Sequence, residues 1–248
     1  MSIQLADIST VAPKKLEKNE IKKETKKILE EIADLQDMLI ASKKRSLLVI
    51  LQGMDASGKD GAVKNIFGGL NPLGIKVQTF KKPTEEEFAH DFLWRIHKVV
   101  PQKGDITIFN RSQYEDVLIQ RVHKWIDEET VKQRFDAINN FEQLLENNGT
   151  TIIKCYMHIS LEAQLERLEE RKTNPKKMWK HNAQDWEERK LWKEYMQAYE
   201  DVFTNCSKAA KWNIVAVDQN WYKEYQIAVL VRDALVAMKL SYPELKEE

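Results

Sequence analysis

The chain has 248 residues, 42% hydrophobic and 31% charged, which suits one sizeable α/β domain with an extension better than two full domains. Its 39 basic and 39 acidic residues cancel, which argues against a generally cationic nucleic-acid binder, and no apolar run approaches the ~20 residues that span a bilayer. Two cysteines without ligand spacing and five histidines (His90, His97, His123, His158, His181) without a close pair argue against a zinc site.

Residues 1–13 read as an irregular tail without the basic-then-apolar profile of a secretory signal, so a cytoplasmic protein is expected. From about Lys14 to Ser42, Ile21, Ile28, Ile32, Leu35 and Leu39 recur at helical spacing among Lys and Glu, predicting a long amphipathic helix whose stripe packs on the core or on another subunit. Residues 1–44 then form an N-terminal extension, and 45–240 the main domain.

The apolar run Ser46–Leu51 leads into Gly-Met-Asp-Ala-Ser-Gly-Lys-Asp at 53–60 and then a helical stretch: strand, G-x-x-x-x-G-K, helix. This is the phosphate-binding P-loop pattern. Gly53 and Gly58 let the backbone turn so that the N–H groups around Met54, Ala56 and Ser57 converge on an anion, and Lys59 adds a point charge. Asp60 stands where a nucleotide-hydrolysing P-loop carries Ser or Thr, and Asp55 lies within the loop. An aspartate facing phosphate oxygens is repulsive without a cation between them, so Asp55 is the expected ligand of Mg²⁺ or the group that orients an acceptor oxygen. Asp60 either joins that site or stabilises the first turn of the next helix through its dipole.

Strands are expected at 46–52, 75–80, 105–110, 150–159 and 212–217, and helices at 60–69, 85–99, 112–123, 128–148, 160–171, 184–204 and 221–239. This alternation predicts a mainly parallel five-stranded sheet covered on both faces, with functional residues gathered at the strand ends. Lys81 and Lys82 end the second strand and can face phosphates. The third strand runs into Asn110-Arg111-Ser112-Gln113-Tyr114-Glu115. Asn110 can hold a metal-bound water or a phosphate oxygen, and Arg111 can grip a phosphate with two parallel hydrogen bonds. Ser112 with Glu115 three residues on also fits a capping box. Cys155 reads as a core residue, whereas Cys206 falls in a polar stretch. The segment Arg171–His181 holds five Lys/Arg and no acid, a local anion-attracting field.

Together, Gly53–Gly61, Lys82-Pro-Thr84, His90–Arg95, Asn110–Val117 and Asn174–Lys180 resemble the polyphosphate kinase 2 family, over most of the chain from about residue 20 onward. The resemblance implies a P-loop kinase-like three-layer fold, similar to thymidylate kinase, with a helical lid at about 167–184. It also implies Mg²⁺-dependent transfer of phosphate between inorganic polyphosphate and adenine nucleotides, with guanine nucleotides a further class to test, by a homodimer or homotetramer. Asp55, Lys59 and Arg111 become the catalytic set, and Lys64, Arg167, Arg171, Lys177 and Lys180 the residues that guide polyphosphate. Met54, Asn110 and Glu115 resemble the class III branch, which implies that both AMP and ADP accept phosphate. An ATP-dependent nucleoside monophosphate kinase shares most of these motifs, and a non-catalytic nucleotide sensor is the alternative of another class.

Overall fold

Seven consecutive buried residues form strand β1 (Ser46–Gln52), and the computed structural model, which describes residues 3–245, shows why the run is unbroken. Beside it lie β2 (Ile75–Thr79), β3 (Ile106–Asn110), β4 (Thr150–His158) and β5 (Trp212–Ala216). All pairings are parallel, in the order β2-β3-β1-β4-β5, so β1 is central and carries helices above and below. Each strand begins and ends within one residue of its expected bounds.

The α-helices are α1 (Lys18–Ser42), α2 (Lys59–Phe67), α3 (Glu85–Phe88), α4 (Trp94–His97), α5 (Ile119–Val122), α6 (Glu128–Asn147), α7 (Leu161–Thr173), α8 (Gln184–Lys190), α9 (Trp192–Asn205) and α10 (Asn220–Ala237). Alternation along β4 assigns the layers. Lys154 reaches Glu142 on α6 and Tyr156 packs on Tyr199 and Phe203 of α9, while Met157, facing the other way, backs onto Gly53 below α2. Helix α10 packs against both α1 and α2 on that second face.

The stripe of α1 is used within the chain. Ile21, Ile28, Ile32 and Leu39 are buried, with the helix laid along α10, so this stripe does not supply a subunit interface. The helix begins at Lys18, later than expected. The segment before it is irregular but fixed. Leu5 is buried with its N–H on Glu200 Oε1 at 2.7 Å, and Thr10 donates to Asp218 at 2.8 Å. Cys206, expected in a polar stretch, is fully buried.

Three expected helices are broken. The one at 85–99 is α3 and α4, separated where Asp91 accepts the Leu93 N–H on its side chain and the Trp94 N–H on its backbone. The one at 112–123 is a 3-10 stretch, Gln113–Val117, then α5, with Leu118 at φ −105° and ψ −83° between them. The one at 184–204 breaks at Leu191 into α8 and α9. Apolar residues stay in phase across these breaks, so periodicity does not register them.

The switch in strand order lies at β1, whose neighbours continue the sheet in opposite directions. Its carboxyl end is therefore the crevice where an open α/β sheet binds its ligand.

Candidate active site

The loop Gly53–Gly58 joins β1 to α2 in this crevice. Gly53 (φ +151°) turns against β4, where an added Cβ would lie 2.9 Å from Met157, and Gly58 (φ +93°) turns into the helix. Ala56 also has positive φ, +62°, so the loop is held wound around one point. Lys59 folds back over it. Its Nζ donates to Gly53 O at 2.6 Å, Met54 O at 3.1 Å and Ser57 Oγ at 3.4 Å. Burial pushes the Lys59 ammonium down to about 8, and repulsion from Arg111 acts the same way, against the attraction of Asp55, Glu115 and Asp60.

Arg111 stands opposite at the end of β3, in a left-handed conformation (φ +65°) that bulky residues seldom adopt. Its N–H donates to Leu51 O at 3.0 Å, tying the turn to β1. The guanidinium bonds the Asp55 carboxylate and reaches Glu115 at 3.4 Å. Glu115, then Asp55, hold its proton more tightly than usual despite burial. Glu115 is also bonded by Gln52, and Ser112 donates to Gln52 at 3.1 Å. The expected Ser112–Glu115 capping box is therefore absent: Ser112 caps the Tyr114 N–H, and the Glu115 carboxylate is taken by Arg111 and Gln52. The capping box in the structure is Thr84 with Glu87, after Lys82.

Asp60 does not depend on the helix dipole alone. It accepts from Asn110 Nδ2 at 2.9 Å and from Lys180 Nζ at 2.7 Å. Burial alone would raise its carboxyl, but these two bonds outweigh that and hold it below the ordinary carboxylate range. Lys180 belongs to the segment between α7 and α8. Arg171 on α7 pairs with Asp185 on α8 at 2.5 Å across this segment, and Lys177 within it pairs with Glu170 of α7 at 2.5 Å. Arg167, on α7, donates to Ala56 O at 3.0 Å and to Val217 O and Asp218 O, so it clamps the P-loop to the end of β5. The loop, the β2 and β3 ends, α7, α10 and this segment enclose a cleft of about 660 Å³.

The Polyphosphate kinase 2 (PPK2) family model matches residues 15–243. The chain belongs to the polyphosphate kinase 2 family. It is 42% identical over 211 residues to the AMP/ADP-polyphosphate phosphotransferase of Meiothermus ruber, covering 85% of this chain and 79% of that one. It is 39% identical over 229 residues to the ADP-polyphosphate phosphotransferase of Rhodopseudomonas palustris, covering 87% and 79%. The crystal structure of polyphosphate kinase 2 from Arthrobacter aurescens TC1 superposes with a TM-score of 0.96 at 38% identity, over 99% of this chain and 89% of that one.

In this polyphosphate kinase 2 chain, Asp55, Ala56, Gly58, Lys59, Asp60, Lys81, Lys82, Asn110, Arg111, Arg167, Arg171, Lys177 and Lys180 line the one cleft. Gly53, Met54 and Glu115 lie behind it, around a small cavity closed by Tyr195 and Tyr199, and Ser57 is buried under Lys59. Lys64 does not line the cleft: it is exposed on α2, one turn beyond Asp60 and Gly61, which do. Arg95, from the His90–Arg95 block, is buried and holds the lysine loop through Lys81 O at 2.9 Å, anchored on Asp116.

Two residues escaped the sequence reading. Gln52 is the polar end of an apolar strand, which is a signal in itself. Lys223, in the first turn of α10, opposes the helix dipole, and this too is a legible anomaly. It is 1% exposed and lines the cleft, with Nζ 2.9 Å from Asn220 Oδ1 and 3.3 Å from Gly58 O. Burial pushes its ammonium down to about 8.

Proposed function

We propose that this chain transfers the terminal phosphate of inorganic polyphosphate to ADP, giving ATP, and to AMP, giving ADP. The observation that carries the reading is the convergence of Lys59, Arg111 and the cations of the α7–α8 segment on one cleft at the P-loop. The names of the two relatives, which use polyphosphate with AMP/ADP and with ADP, support the choice of donor and acceptors.

Phosphoryl transfer needs in-line positioning and charge neutralisation more than a covalent protein nucleophile. The wound loop presents backbone N–H groups to the migrating phosphoryl group, and Lys59 moves from the loop carbonyls to its oxygens. Arg111 grips the neighbouring phosphate from the β3 side, and Asp55, held by Arg111, orients the acceptor oxygen. The α7–α8 segment closes as a lid and excludes water that would hydrolyse the donor.

The donor set fits Mg²⁺. Among the described residues no three His, Cys, Asp or Glu side chains cluster as a cage, but Asp55 and Asp60 place hard carboxylate oxygens on the same cleft. A cation that keeps several waters and takes substrate phosphate oxygens needs only one or two carboxylates. Asp55 is the residue that would hold it, because both oxygens of Asp60 accept, from Asn110 and Lys180, whereas Arg111 bonds only Oδ1 of Asp55. When bound, the ion neutralises charge on the phosphates.

A donor swap tests the reading. Purified protein with Mg²⁺ and ADP or AMP should form ATP or ADP from long-chain polyphosphate. Phosphorylation of AMP by ATP with no use of polyphosphate would establish the nucleoside monophosphate kinase instead, and guanine nucleotides in the same assay report base preference.

A further inference from the structure

Residues 3–12 form one 3-10 turn, Leu5–Asp7, and are otherwise irregular, yet directed bonds hold them along their length. The Leu5 N–H donates to Glu200 Oε1 at 2.7 Å, and Ile8 O accepts from His158 Nε2 at 3.0 Å. Thr10 Oγ1 donates to Asp218 Oδ2 at 2.8 Å, and Thr10 O accepts from the Asp218 N–H at 3.1 Å. The Ala12 N–H donates to Gln219 Oε1 at 2.7 Å. Among the described residues, all of these bonds but the first end at the last residue of β4 or in the turn from β5 into α10. Fixing an irregular segment loses backbone entropy with no repeating ladder to offset it, so bonds gathered on one edge of the sheet mark a placement. That edge is the one that carries the P-loop.

Asp218 is where this segment meets the loop. Its second carboxylate oxygen, Oδ1, accepts from the N–H of Ser160, the residue that caps α7. Its carbonyl accepts from Arg167 Nη2 at 3.1 Å, and Nη1 of the same arginine donates to Ala56 O. Thr10 is thus joined to Ala56 by consecutive hydrogen bonds through Asp218 and Arg167. Ala56 has φ +62°, a conformation that persists only where its surroundings enforce it. Arg167 enforces it from a helix whose start and whose carbonyl partner are both set by Asp218. We propose that residues 3–12 act as a strap that keeps the P-loop wound, with Thr10 and Asp218 as positioning residues. Neither lines the cleft, so both act through Arg167 and the loop rather than on a ligand. The strap's effect on transfer rests on the polyphosphate reading; its hold on the loop does not.

The test compares wild type, Thr10→Val, Thr10→Ser and Asp218→Ala. It reads kcat and KM with ADP and long-chain polyphosphate, thermal unfolding, and amide hydrogen exchange of residues 53–60. Valine keeps the shape of threonine and removes the hydroxyl that bonds Asp218. Thr10→Val should lower kcat by about three- to tenfold, with both KM values within about twofold of wild type, and should speed exchange in the P-loop. Thr10→Ser keeps the hydroxyl and should restore both readouts. Asp218→Ala should lower kcat further, and adding Thr10→Val to it should change kcat little, because Thr10 acts through Asp218. Unchanged exchange at 53–60, or unchanged kcat, in a folded Thr10→Val overturns the strap even if its unfolding temperature falls. Fully additive losses in the double variant overturn the route through Asp218. If Asp218→Ala does not fold, the two Thr10 variants decide by themselves. Wild type that fails to transfer from polyphosphate overturns the parent reading, while the exchange comparison still decides the strap.

Discussion

Lys180 donates to Asp60 at 2.7 Å, joining residues 120 apart in sequence across the mouth of the cleft. The other oxygen of the same carboxylate accepts from Asn110 at the end of β3. A serine or threonine at this position offers one uncharged oxygen, whereas the carboxylate gives each donor its own oxygen and meets the Lys180 ammonium with a counter-charge. The aspartate after the P-loop lysine thus works as a latch between the loop, the sheet and the α7–α8 segment.

The first prediction follows from that pair. Its side chains are 32% and 61% exposed, so the pair contributes only about 0–1 kcal/mol to stability. Asp60→Asn should therefore lower Tm by no more than about 3 °C. It should nevertheless release the basic segment, seen as faster tryptic cleavage at residues 176–180 and a raised KM for polyphosphate. An unchanged cleavage rate would show that the pair does not hold the segment.

Where the sequence was legible, the reason is physical. Strand β1 is fully buried, so its apolar run is continuous, and the glycines at 53 and 58 adopt positive φ that few other residues tolerate. Those constraints are written locally. The partners of Asp60 and Glu115 are not, because a carboxylate one turn into a helix looks the same whether it caps, binds metal or meets a lysine 120 residues on. Lys64 shows the converse: it is exposed and outside the cleft lining although Asp60, one turn earlier on the same side of α2, is part of that lining. The helix breaks at Leu118 and Leu191 were invisible because the apolar pattern runs through them.

Lys59→Ala should reduce kcat by about 100- to 1000-fold, the scale expected for losing one donor to the developing charge. The fold should persist, since the variant removes a buried ammonium whose partners are loop carbonyls and a hydroxyl. Circular dichroism and Tm check the second half of the statement, and wild-type turnover would remove Lys59 from the reaction.

The pH dependence has a definite sign. Lys59 is brought from 10.5 to about 8 in the free protein, so it loses its proton as pH rises through about 8. The value of kcat/KM for polyphosphate, which reports the free enzyme, should fall above that pH. The kcat limb should lie higher, because a bound phosphate favours the ammonium. Stability moves the other way. Between about 8 and 10.5 the unfolded chain holds more protons at this lysine, so the ligand-free protein gains stability across that window as pH rises. A kcat/KM profile flat through this window would contradict a lysine depressed by burial.

Lys154 and Glu142 form an ion pair at 2.6 Å with both side chains wholly buried. Lys154 also donates to Tyr114 and to Cys206 O, and Tyr114 and Gln113 donate to Glu142. The pair therefore pins the turn that carries Arg111 to β4 and α6. Burial raises the Glu142 carboxyl, opposed by Lys154, and each charge depends on the other. Glu142→Leu, which strands the ammonium, should cost about 3–5 kcal/mol, read as a lower midpoint in denaturant unfolding. The double variant Glu142→Leu with Lys154→Met should regain most of that stability, since two apolar side chains replace two charges. Its activity should not recover in step, because Tyr114 and Gln113 lose the acceptor that fixes the Arg111 turn. Full recovery of kcat in the stable double variant would mean that β3 alone sets the arginine.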